Sequence, residues 1–409
     1  MKIQNAIFYL VLLEISLGGG GRLTSVGDVT LRMLLFLVAM IYTIVNFSKL
    51  KSEQLVLTFS FLTLLVFSSF VGVINNAQSV FVVEDIKILS YFPMMLFFYL
   101  NINSSKVIAN VINLIKISSV ALSAAYIIIR FGLELDFLDK QQFYDSTAAS
   151  AEFMFRSDSI FLYKGLLFSS IGCFFFIFDG QNRSKWDRAT QTLCVILIIY
   201  SIFMTYTRGL LIGLFGSGFL GYMFYAFNNR KISKIVFYVL IVVAFGTFFS
   251  ENIMANISDV RSVGQDESDS IRLVTITQVF EMMTPLSILI GHGFGIGVAM
   301  RDNHMEISYL EIFHKQGLLG LSFYVYLLVK LIYNYSGIAN DRTKSYVEKM
   351  QGLSFIAASI FVYIQSTTNP LINNPIGISV ILISIVATDT IKSKSVVNNL
   401  RPIVLSVQE

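Results

Sequence analysis

The stretch LSILIGHGFGIGVAMRDNHMEISYLEIFHKQGLLGL, Leu286 to Leu321, decides how the chain reads. A glycine-dense turn leads into a short charged segment, then into an amphipathic helix start that runs on into apolar sequence. Arg301, His304, Glu306, His314 and Lys315 fall within this segment, in a chain of which only 14% is charged. The histidines of the chain (His292, His304, His314) all lie here. Chemistry that needs a base or a cation has few other places to go.

Outward from this stretch the sequence is apolar. Hydrophobic residues make up 55%, against roughly 45–50% in soluble domains, where charged residues are about 25%. Apolar runs of about twenty residues, enough to cross a hydrocarbon core of roughly 30 Å as a helix, recur from end to end. The expected fold is an all-α polytopic membrane protein forming one integral membrane domain over residues 1–409. Spans are expected near 3–17, 31–47, 55–74, 86–101, 107–130, 160–178, 189–205, 208–227, 232–250, 316–335, 350–366 and 376–391, about twelve in all. The first run has only Lys2 before it and GGGG after it, so it reads as an uncleaved span. Cys173 and Cys194 sit inside spans and form no disulfide framework. The net charge of +4 carries no basic cluster with interleaved aromatics, which argues against nucleic acid as a partner.

Lysine and arginine alternate between connections: Lys49 and Lys51, Lys106, Arg183 to Arg188, Arg230 to Lys234, Arg342 to Lys349, and Lys392 to Arg401. Placing these in the cytoplasm puts both termini inside. The segments 131–159 and 251–315 then lie on the outer face. The first holds Glu134, Asp136, Asp139, Asp145, Glu152 and Asp158 against two bases, which agrees with that topology. The second is too long for a plain turn and contains a helical segment from Ser270 to Met283, stopped before Pro285.

Several residues stand out, each with a bland and a sharper account. Arg208 closes a span in MTYTRGLLIG. It either snorkels to the interface or forks onto phosphate oxygens, with Thr205 and Thr207 as hydroxyl donors. Arg272 and Arg301 bracket the long loop, either as solvated charges or as further anion ligands. Asp266, Glu267 and Asp269 read as a solvated acidic cluster rather than a metal site. GHGFGIG, Gly291 to Gly297, is neither a Walker loop nor a dinucleotide fingerprint. It is either a re-entry turn or a nest of backbone N–H groups around a phosphate. In a helix running from His304, residues His304, Ser308, Glu311 and Lys315 share one polar face. That helix either lies in the interface or holds Glu306 or His304 above the membrane as a base.

The order of these motifs resembles a known family. TYTRG, a long loop with Ile-Arg-Leu, the glycine turn, EISYLEIFHKQGLLGL and TTNPLINNPIG occur in the sequence of the Wzy-type O-antigen polymerases, within the O-antigen ligase and polymerase superfamily. The likeness covers most of residues 200–380; the first 200 share only topology. It implies a C-type glycosyltransferase-like fold in the bacterial inner membrane with an active site facing the periplasm. It also implies a metal-independent, cofactor-free glycosyltransferase of lipopolysaccharide biosynthesis. Its substrate is an undecaprenyl-diphosphate-linked oligosaccharide, with membrane lipids and a chain-length regulator as partners. Counting back from Gly317, the position that holds a histidine in the related ligases holds Glu306, with His304 two residues earlier. Glu306 is therefore the first expectation for the catalytic base and His304 the second, with Arg208, Arg272 and Arg301 as diphosphate ligands. Competing expectations are a ligase that hands the polymer to a lipid A core, and a lipid-linked glycan flippase or transporter. A transporter places ionisable groups at the midplane, where Glu14 and Lys116 are the chief candidates.

The topology has a direct check. A cysteine placed at Gln265 is expected to react with an impermeant maleimide added outside, and one at Ser233 is not; the reverse labelling overturns the orientation.

Overall fold

A computed structural model describes residues 3–23, 25–26, 29–148, 150, 152–155, 159–181, 184–228 and 265–405. The side chains of 3–4, 25–26, 228, 265–269 and 394–405 are outside that description. The expected span 232–250 falls outside the described residues.

Helices dominate because most of the chain is apolar without β-branched alternation. They are α1 (Ile3–Leu17), α2 (Leu31–Val45), α3 (Ser52–Ile74), α4 (Ser79–Leu89), α5 (Met94–Asn101) and α6 (Ser105–Glu134). Then come α7 (Lys140–Ala148), α8 (Leu166–Ile177), α9 (Lys185–Phe203), α10 (Arg208–Asn228) and α11 (Gln265–Glu281). The last four are α12 (Pro285–Ile290), α13 (Ser308–Asn340), α14 (Tyr346–Gln365) and α15 (Pro375–Leu405). Among the described residues, 6 helices are long and apolar enough to cross a membrane: α3, α6, α10, α13, α14 and α15. Shorter apolar helices, α1, α2 and α8, add to the bundle. The chain is a polytopic α-helical protein.

α14 and α15 form its centre, with 72% and 78% of their apolar windows buried, against 33–44% for the other four. α14 packs on α8, α10, α13 and α15. Outward-facing Val66, Ile117, Ile128, Ile212 and Val325 stay exposed, as expected of side chains that meet lipid tails. The two charges expected inside spans are paired. Arg32 Nε donates to Glu14 Oε2 at 2.8 Å, and Lys116 Nζ lies 2.8 Å from Asp179 Oδ1.

Two expected spans are corrected. Residues 86–101 do not form one helix: α4 stops at Leu89 and α5 starts at Met94. Pro93 has no N–H to continue the ladder, and tighter bonds from Phe92 to Leu89 and from Met94 to Tyr91 fill the gap. Residues 160–178 begin as a short strand, β4 (Phe161–Tyr163), paired antiparallel with β3 (Phe153–Phe155). Only Leu166–Ile177 is helical. A second small hairpin, β1 (Ser25–Val26) with β2 (Val29–Thr30), precedes α2.

The long connection is folded against the bundle. α13 is kinked at Gly317, which sits at φ 62°, ψ −159°. That left-handed backbone favours glycine, and a Cβ there would meet Leu289 backbone atoms at 2.5 Å. The kink leaves carbonyls of the first turns for other donors. His292 N–H donates to His314 O at 2.8 Å and Gly293 N–H to Lys315 O at 2.9 Å. Phe294 N–H donates to Ser68 O at 3.0 Å, which pins the glycine turn onto α3.

That docking depends on Gly72, where a Cβ would lie 2.1 Å from Phe294 O. Gly72→Ala is expected to lower stability by about 1–3 kcal/mol, the usual cost of overpacking, measured as a lower melting temperature in detergent. Gly216→Ala is the control, because its Cβ would meet only Ile364 Cδ1, at 3.2 Å. Equal melting temperatures overturn the docking account.

Candidate functional site

Two polar clusters adjoin each other along the segment from Arg301 to Lys315. The first is built on Glu306. Arg301 ends a tight turn closed by reciprocal backbone bonds with Val298, at 2.9 and 2.8 Å. Met305, fully buried with Val279 and Val298, anchors the extended chain beneath α11. This fixes Glu306 between two cations. Arg272 Nε donates to Glu306 Oε2 at 2.8 Å and Arg301 Nη2 to Glu306 Oε1 at 2.7 Å. All three side chains are about one-third exposed. The structure therefore brings three of the expected site residues together, and the pair of guanidiniums holds one anionic group.

The second cluster is buried. Lys315 Nζ donates to Asp85 Oδ1 at 2.7 Å, Glu311 Oε1 at 2.8 Å and Asn303 Oδ1 at 3.3 Å. Its three protons thus meet three acceptors. Asp85 Oδ2 accepts from Gly295 N–H at 2.8 Å, and Glu311 Oε2 from Asn373 Nδ2 at 2.8 Å. His304, exposed to solvent, places Nδ1 3.1 Å from Glu311 Oε1. The helix expected from His304 begins instead at Ser308. The four residues assigned to one helical face nevertheless converge, because the extended chain folds back over the first turn of α13. In α4, which is not among the candidate spans, burial is the larger influence on Asp85 and raises its pKa; Lys315 and the Gly295 N–H pull the other way.

Asp85, His304 and Glu311 present ligand atoms within 4.8 Å of one another, a spacing that suits a metal ion. Lys315 already stands between the same two carboxylates. Its ammonium is the cation they hold.

Other expectations are revised. The N–H groups of His292, Gly293, Phe294 and Gly295 all bond to protein acceptors, so GHGFGIG clamps α13, α3 and α4 rather than cradling a phosphate. Thr205 and Thr207 are buried and bonded to each other at 2.9 Å, so they shape the turn before Arg208 instead of offering free hydroxyls. His314 is fully buried against His292, with ring centroids 4.7 Å apart. Burial lowers the His292 pKa. The side chains of Asp266, Glu267 and Asp269 lie outside the described residues.

Arg208 opens α10, half-buried, and its buried Nε has no hydrogen-bond partner among the described residues. Next to it, Gly209 O accepts from Gln365 Nε2, and Gln365 Oε1 accepts from Asn369 Nδ2 at 3.2 Å. Ser308 Oγ lies 3.1 Å from Asn369 O and from Asn373 Oδ1. The TTNPLINNPIG segment is thus the bridge that ties the Arg208 end of α10 to Ser308 and Glu311. Asp85, Asn303 and Asn373 were absent from the expected site. The legible signal was Glu84-Asp85 inside a mostly apolar helix, where a buried acid demands a partner.

Residues 193–325 match the model of a family described as O-antigen ligase. An O-antigen polymerase of Shigella flexneri is 26% identical over 412 aligned positions, covering 98% of this chain and 99% of that protein. The chain is similar to an O-antigen polymerase from end to end. This bears out the resemblance carried by the ordered motifs and extends it through the first 200 residues.

Glu306 occupies the position of an anionic ligand on Arg272 and Arg301, so removing its charge should free that position. Glu306→Gln is expected to bind inorganic pyrophosphate roughly tenfold more tightly, about 1.4 kcal/mol, by titration calorimetry in detergent. Unchanged or weaker binding removes the arginine pair from the anion site.

Proposed function

We propose that this chain is an O-antigen polymerase of the bacterial inner membrane. In this reading it transfers a growing glycan from undecaprenyl diphosphate to the non-reducing hydroxyl of another lipid-linked repeat unit. The observation that carries it is the guanidinium pair on Glu306 beside a histidine held by a buried carboxylate. The full-length likeness to a polymerase supports the same reaction class. The fold is then a C-type glycosyltransferase-like bundle of about twelve spans, with 131–159 and 251–315 periplasmic and a chain-length regulator as partner.

The chemistry needs a base and a cationic cradle. The acceptor hydroxyl loses its proton as its oxygen bonds to the anomeric carbon. The bond from that carbon to the diphosphate oxygen breaks, and the lipid diphosphate leaves with the electron pair. Arg272 and Arg301, joined by Arg208, neutralise the departing charge. Guanidiniums serve here without a metal or cofactor. Of the two candidate bases we favour His304. Both Glu306 oxygens are engaged by charged arginines at 2.8 and 2.7 Å, whereas His304 is exposed, its Nδ1 is bonded to Glu311, and its Nε2 is met by the neutral Asn303 amide at 3.3 Å. Glu306 then keeps the cradle occupied until diphosphate displaces it.

A polymerase-deletion strain complemented with each variant, at matched membrane levels, tests this on lipopolysaccharide gels. His304→Asn is expected to leave a single repeat on the core, and Arg208→Lys, which keeps charge but loses the fork, to shorten chains strongly. Glu306→Gln should still elongate. Elongation by His304→Asn with none by Glu306→Gln restores Glu306 as the base. Unmodified core with polymer retained on the carrier indicates a ligase instead.

A further inference from the structure

We infer that Asp85, Glu311 and Lys315 form a buried positioning unit that holds His304 as its Nδ1–H tautomer, leaving Nε2 to take the acceptor proton. The inference rests on His304 being the base and names what orients it. A carboxylate only accepts, so the 3.1 Å contact between Nδ1 and Glu311 Oε1 requires the proton on Nδ1. Asn303 settles the other nitrogen. Its Oδ1 accepts from Lys315, which fixes the amide orientation, so its Nδ2, 3.3 Å from His304 Nε2, is the donor there. Nε2 is therefore the unprotonated nitrogen, the form a general base needs. The acceptor hydroxyl takes the place of the Asn303 amide on its one lone pair, while Asn303 Nδ2 keeps its bond to Glu84 Oε2 at 2.5 Å.

The unit keeps Glu311 where it must be. Glu311 Oε1 is shared between His304 and Lys315, and Oε2 is held by Asn373. Lys315 in turn is fixed by Asp85, which is clamped by the Gly295 N–H of the glycine turn. Each of Asp85, Glu311 and Lys315 is at most 4% exposed. None of the three reaches the reacting atoms; they act through His304. Formally the unit carries one net negative charge, two carboxylates and one ammonium, facing the imidazole. When Nε2 takes the hydroxyl proton, the new positive charge is met by Glu311. The proton later leaves Nε2 to solvent, which restores the starting tautomer.

The test uses full-length protein in lipid nanodiscs with a lipid-diphosphate-linked repeat unit as substrate, and a second sample labelled with ¹⁵N-histidine. Glu311→Gln is expected to lower kcat by roughly 10²–10⁴, the scale of losing a correctly oriented base, with KM nearly unchanged. Glu311→Asp should recover part of the loss, and Asp85→Asn should fall between. The His304 ¹⁵N signals, assigned by their absence in His304→Asn, should report Nδ1–H in the wild type and lose that state in Glu311→Gln. Wild-type kcat in Glu311→Gln beside an inactive His304→Asn overturns the positioning unit while leaving the base in place. Lost kcat with an unchanged tautomer also overturns it. An active His304→Asn removes the base and the positioning inference together. Should Glu311→Gln fail to reach the membrane, Asp85→Asn carries the same two readouts.

Discussion

The Lys315 ammonium is the constraint on which the rest of the site depends. It is buried on a membrane-protein helix, where an unpaired charge is not tolerated, and each of its protons has an acceptor. Those acceptors come from three separate parts of the chain. Asp85 is on α4, Glu311 is one turn away on α13, and Asn303 is in the extended segment. Removing one partner of such a buried pair typically costs about 3–5 kcal/mol, so the elements are held in register by electrostatics as much as by packing.

The glycine turn makes this arrangement reachable. Because α13 breaks at Gly317, its first turns offer backbone acceptors to His292 and Gly293, and the turn continues to Ser68 on α3 and the Asp85 carboxylate. Backbone approach at these distances excludes side chains, which accounts for the alternation of glycine in GHGFGIG. The interruption of the expected span at Ser90–Pro93 serves the same end. It makes α4 a short element that ends beside the site and delivers Glu84 and Asp85 there.

The two clusters divide the work by exposure. Arg272, Arg301 and Glu306 are about one-third exposed and join one carboxylate to two guanidiniums near the surface. Asp85, Glu311 and Lys315 are buried, and exposed His304 leads from them to solvent. In the proposed reaction, an open cradle for a charged group beside a fixed base would suit transfer from an activated diphosphate. There the leaving group must be exchanged each cycle and the proton acceptor must not move.

Apolar runs of membrane-spanning length determined the helical class by themselves, because length and hydropathy are local properties. The crowding of Arg301, His304, Glu306 and Lys315 also marked the segment where the two polar clusters form, since charge is scarce elsewhere. The i, i+4 spacing of Glu311 and Lys315 was legible for the same local reason. What sequence could not supply was the partnership across elements. Asp85 lies 230 positions from Lys315, Asn373 lies 62 from Glu311, and Arg272 lies 34 from Glu306. Only the folded chain decided that the glycine turn bonds to helix carbonyls, that Thr205 and Thr207 satisfy each other, and that His314 is buried away from solvent. Each of these depends on which buried polar group finds its partner first, and in an apolar interior that choice belongs to the packing of helices far apart in sequence.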